Sequence, residues 1–91
     1  MVLYKYDHDA LEITEQRNGD DFEFWIKAKN DESLRGLHQV RSFFDHNRIH
    51  TDVLFYTHHE HEFQVIVRKD FHIDFLLSLF KHCLLKSLTW E

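Results

Sequence analysis

The chain has 91 residues, 43% of them hydrophobic and 15% aromatic, and carries a net charge of −5 with histidine neutral. That length makes one α+β domain, 1–91, and the apolar content excludes a disordered linker. The eleven Lys and Arg are scattered, which argues against nucleic acid or anionic lipid as a partner.

Residues 2–6 alternate as a short strand, which either continues or is followed by a second strand through Leu11 and Ile13. Asn18-Gly19 predicts a turn, because both residues tolerate positive φ, and so a hairpin into the next strand. That strand, 22–29, is the clearest in the chain: Phe22, Phe24, Ile26 and Ala28 alternate with Glu23, Trp25, Lys27 and Lys29. Asn30 or Asp31 caps a helix whose apolar stripe is Leu34, Leu37, Val40 and Phe44, with Phe43 alongside. Gly36 within it suggests close contact with the sheet, and Asn47 is the expected left-handed residue at its end.

Two hydrophobic runs, Val53 to Thr57 and Phe63 to Arg68, form the central hairpin around the polar tip from His58 to Glu62. Asp70 is the expected cap of a second helix over about 71–84, whose apolar residues cover more than one face. It is therefore buried on two sides or meets a partner. Cys83, the single cysteine, lies among Leu79, Phe80, Leu84 and Leu85 and reads as a buried small hydrophobe. The alternation of Leu88 and Trp90 with Ser87 and Thr89 predicts a final strand.

From residue 22 onward the order is βαββαβ. Right-handed crossovers turn it into a ferredoxin-like antiparallel sheet with two helices on one face and an extra N-terminal strand. The strand at 22–29 then has too many claimants, and keeping the Asn18-Gly19 hairpin moves the C-terminal strand to an edge or onto a partner chain.

Nine histidines occur, and His58, His59 and His61 gather at the hairpin tip with Glu60 and Glu62. Imidazole and carboxylate suit Zn²⁺ or Ni²⁺, although simple alternation puts His59 and His61 on one face and His58 on the other. No other cofactor is suggested. The neighbouring pairs Asp45/His46 and Asp7/His8, and Asp70/His72 two positions apart, supply acid-base groups without any sign that they face each other. No phosphate loop, nucleophile elbow or HExxH motif is present, so nothing marks an enzyme. An RNA-binding sheet is disfavoured by the acidic balance and by a strand at 63–68 without the RNP1 glycines and aromatics.

The stronger signal is surplus apolar surface. Trp25, Tyr56, Ile66 and Trp90 are expected on the open sheet face, and Phe75, Leu76, Leu77 and Phe80 on the spare face of the second helix. The function expected from this pattern is protein interaction, above all pairing with itself as a homodimer, with a metal-binding module at the histidine tip as the alternative. No leader pattern precedes the first strand, and no apolar run approaches the roughly 20 residues of a membrane span, so the expected setting is cytoplasmic with no membrane partner.

Overall fold

The computed structural model describes residues 2–46, 52–59 and 61–91. The elements run β1 (Val2–Lys5), β2 (Leu11–Asn18), β3 (Asp21–Ala28), α1 (Asp31–His46), β4 (Val53–His59), β5 (Glu62–Arg68), a 3₁₀ turn (Lys69–Phe71), α2 (His72–Lys81) and β6 (Ser87–Trp90). Four strands make an antiparallel sheet in the order β2-β3-β5-β4, while β1 and β6 pair as a separate antiparallel ribbon. The expected α+β class holds, but the ferredoxin-like strand order is replaced by this one.

The β2–β3 hairpin explains the difference. Asn18 pairs with Asp21 across a two-residue loop in which Gly19 has φ +61°. Glycine at the first central position of such a loop fits the twist of the flanking strands. With β2 on one side and β5 on the other, β3 has no edge left for the C-terminal strand. The outer edge of β2 is also occupied at Ile13, whose amide donates to the Tyr6 hydroxyl while that hydroxyl donates to the Ile13 carbonyl. An edge strand capped in this way is a poor template for further pairing. β6 joins β1 instead, in register Val2↔Trp90 and Tyr4↔Leu88.

One face of the large sheet carries Phe24, Ile26, Phe63, Val65 and Val67, all buried, and both helices pack on it. Alternation has done this sorting: cross-strand partners such as Phe24↔Val65 and Phe55↔Val65 project to the same side. From α1 come Leu37, Val40 and Phe44, and from α2 come Phe75, Leu76 and Leu79. Phe75 is the hub, with its ring centroid 4.9 Å from Phe24 and 6.1 Å from both Phe44 and Phe55.

The helix ends follow local chemistry. Asn30 caps α1 by accepting the Ser33 amide at 2.8 Å, and Asp31 and Glu32 complement the positive end of the helix dipole. α2 begins at His72 out of the 3₁₀ turn, two residues beyond the expected cap Asp70. It also stops earlier than its apolar pattern predicts. The Leu84 amide bonds back to the Leu79 carbonyl and the Cys83 amide to the Phe80 carbonyl, the paired bonds of a Schellman motif. Cys83 supplies the left-handed residue at φ +63° and is exposed, so the expected buried thiol is corrected.

Leu84 then turns back into the core and meets α1 at Gly36, where an added Cβ would lie 3.0 Å from Leu84 Cδ2. The close contact expected at Gly36 is therefore with the turn after α2 and not with the sheet. Asn47, the expected end of α1, lies outside the described residues.

Candidate functional site

Three regions bring together the side chains that the sequence singles out.

The first region is the hairpin tip. Thr57 pairs with Phe63 and His59 with Glu62, so His58 is an extra residue in a β-bulge. The bulge breaks the alternation expected for the histidines. His58 turns over the open sheet face and donates from Nε2 to Gln64 Oε1 at 2.7 Å, while its ring stacks on Trp25 with centroids 4.9 Å apart. His59 reaches Glu62 at 3.6 Å, and these two line a shallow depression together with His61 and Lys27. An ammonium beside that pair opposes a bound cation. Among the described residues no three His, Cys, Asp or Glu side chains are grouped to hold a metal ion. Glu60 lies outside the described residues.

The second region is the open face of the large sheet. Register places Trp25, Gln64 and Tyr56 in one row across β3, β5 and β4, with Glu23, Ile66 and Leu54 in the next. Trp25, Leu54 and Tyr56 are exposed and Ile66 is half-buried. The N-terminal strand lies away from this face and does not cover it.

Polar bonds lace the same rows together. Glu23 accepts from the Trp25 indole N–H at 2.6 Å, the Gln64 amide at 3.0 Å and the Asn18 amide at 3.0 Å. A carboxylate with three donors holds these side chains in place, so much of the aromatic surface is already braced. Beside Trp25 lies a depression lined by Glu12, Thr14, Lys27 and Glu62. With Glu23, three carboxylates face one ammonium around the indole.

The third region surrounds the outer face of α2. Phe75 and Leu76, expected on an interaction surface, are fully buried and belong to the core. Helical spacing explains why: positions 75, 76 and 79 face the sheet, and 73, 77 and 80 form the opposite stripe. Leu77 is 49% exposed and Phe80 is exposed beside it.

Leu77 borders two depressions at once. One, of about 220 Å³, lies between the helices and is lined by Phe43, Phe44, Asp74, Ser78, Lys81 and His82 as well. The other adjoins the β1–β6 ribbon, where Val2, Leu88 and Trp90 join Ile73 and Leu77. Trp90 is 74% exposed and belongs to this region, not to the sheet face where the sequence placed it. The ribbon moved it. Leu77 thus links the apolar groups on one side, Phe43 and Phe44, to those on the other, Leu88 and Trp90.

Sequence reasoning missed one half-buried polar cluster. Glu15 accepts from the Tyr4 hydroxyl at 2.8 Å and pairs with His72 at 2.9 Å, and the His72 ring stacks on Phe22 with centroids 3.8 Å apart. Burial on its own pushes the Glu15 carboxyl up, but the hydrogen bonds from His72 and Tyr4 together with the nearby imidazole hold it below its ordinary value. Burial, then the bond to Glu15, pushes the Tyr4 phenol well above its ordinary value.

The cluster fastens the β1–β6 ribbon to β2 and to the first turn of α2. The residues lie 11 and 57 positions apart, so no local pattern announces them. The neighbouring pairs are not assembled: Asp45 faces Arg41 at 3.5 Å, His46 contacts the Ser42 carbonyl, and His72 turns to Glu15 and not to Asp70.

No helix among the described residues is long and apolar enough to cross a membrane. No protein-family model matches the chain, and neither a curated protein nor a solved structure matches it significantly.

Proposed function

We propose that this chain is a protein-interaction domain that pairs with a second copy of itself through the outer face of α2. The observation that carries the reading is the strip from Phe43 through Leu77 to Trp90, in which one exposed leucine joins two apolar depressions on different elements. Exposed apolar surface of this kind marks interaction sites, and an exposed tryptophan at its edge is a common energetic anchor. A two-fold pairing buries the same strip on both chains.

The open sheet face suits self-pairing less well. Its Trp25 indole already has a stacking partner and a hydrogen-bond acceptor, and its surrounding carboxylates would oppose their own copies. The groove beside Leu77 holds one carboxylate, one ammonium and the His82 imidazole, so two copies meet there without the carboxylate excess of the sheet face.

Light scattering behind size exclusion over a concentration series, with and without Zn²⁺, tests this. The expected result is a zinc-independent dimer that Leu77→Asp abolishes and Trp25→Ala leaves intact. A monomer at the highest concentration, or a dimer lost only with Trp25→Ala, would sink the proposal. A dimer that forms only with Zn²⁺ would replace it with the histidine tip.

A further inference from the structure

We infer that the second copy lies antiparallel against α2, about a two-fold axis beside Leu77 and Ser78, with Asp74 of each chain facing Lys81 of the other. This rests on the proposed self-pairing and adds the geometry of the partner.

Asp74 and Lys81 are separated by seven residues, close to two helical turns, so they lie on one side of α2 about 10 Å apart along its axis. Leu77 and Ser78 lie between them on that side, and all four line the groove with Phe43 and Phe44. Asp74 and Lys81 are both exposed, and among the described residues neither takes part in an ion pair. The stripe therefore has a negative end, an apolar centre and a positive end.

A two-fold axis perpendicular to such a stripe superposes it on its own reverse. Position 74 then meets 81 twice, and at the centre Leu77 of each chain lies level with Ser78 of the other, which brings the two leucines side by side across the axis. A parallel pairing would instead set Asp74 against Asp74 and Lys81 against Lys81. The helix dipoles choose the same way: Asp74 is in the first turn and Lys81 in the last, so antiparallel α2 helices place opposite ends and opposite charges together.

The net charge of −5 would ordinarily keep copies apart, which makes a locally neutral stripe the favoured place for them to touch.

Charge exchange in the full chain tests the geometry. Asp74→Lys alone would set four lysines together, and Lys81→Asp alone four aspartates. Each is expected to weaken self-association by about tenfold or more, since like charges face each other at both contacts. Mixing the two variants should restore a dimer containing one chain of each, because every contact then joins Lys to Asp. Circular dichroism confirms that each variant is folded.

A second measurement does not depend on the charge variants folding. In a Cys83→Ser background, Asp74→Cys and Lys81→Cys chains should form a disulfide-linked dimer when mixed, and much less when oxidised separately.

If the wild-type chain and Leu77→Asp are both monomeric, the self-pairing reading fails and this inference with it. If the wild-type dimer is lost with Leu77→Asp but mixing the charge variants restores nothing, self-pairing stands and the antiparallel geometry is wrong.

Discussion

The two exposed aromatic faces of this protein differ in what their side chains already hold. On the open sheet, Trp25 is 40% exposed, yet its N–H is bound to Glu23 and its ring lies against His58. Across the molecule, Leu77 and Trp90 project beside grooves lined mainly by apolar groups. Exposure alone does not distinguish them. A polar network ties down Trp25 on the first face, and the second is the one proposed to meet a partner.

The largest expected effect separates neighbours within α2. Phe75→Ala should cost about 3–5 kcal/mol in chemical denaturation, because it removes the ring at the centre of the core, whereas Leu77→Ala should change monomer stability by less than about 0.5 kcal/mol. Similar losses for the two would mean that Leu77 is not on the surface, and the contrast between faces would collapse.

Next is the Tyr4–Glu15–His72 cluster, which seats the ribbon carrying Trp90. Glu15→Gln should cost about 2 kcal/mol, since hydrogen bonds to a charged carboxylate are lost in a half-buried setting. It should also shift the Trp90 emission and spare that of Trp25, which single-tryptophan variants can resolve.

The pH dependence has a definite sign. The folded-state value of Glu15 is lowered, so its contribution is complete above the ordinary carboxyl value of 4.5 and is lost as pH falls through the lower folded value. Denaturation curves across that acid window should therefore be flatter for Glu15→Gln than for the wild type. Parallel curves would remove the cluster from the account.

A smaller gain is expected at the end of α2. Cys83→Gly should stabilise by about 0.5–1 kcal/mol, because glycine avoids the side-chain cost of φ +63° and gives back only part of it in chain entropy. The smallest effect belongs to the open face. His58→Ala should change stability by less than about 0.5 kcal/mol while altering Trp25 fluorescence, as expected when a surface ring stack is removed.

Periodicity and turn chemistry determined most of the elements. Alternation in 22–29 named the inward residues of β3, the Asn18-Gly19 signal placed the hairpin, and Asn30 was readable as a cap. These depend on contacts within a few residues, so their physics is present in the local chain.

The spare face of α2 was legible only as an excess of apolar residues. Separating Phe75 from Leu77 required knowing which side of the helix meets the sheet. The path of β6 was decided by competition: β2 took the place beside β3, Tyr6 capped the next free edge, and Trp90 was carried to α2 as a result. At the hairpin tip the bulge turned His58 toward Gln64 and Trp25, while His59 and His61 line one depression.

Local sequence determined where strands and helices form and which residues share a face. Only the tertiary structure decided which faces are consumed, because that depends on partners tens of residues away competing for the same edges and the same core.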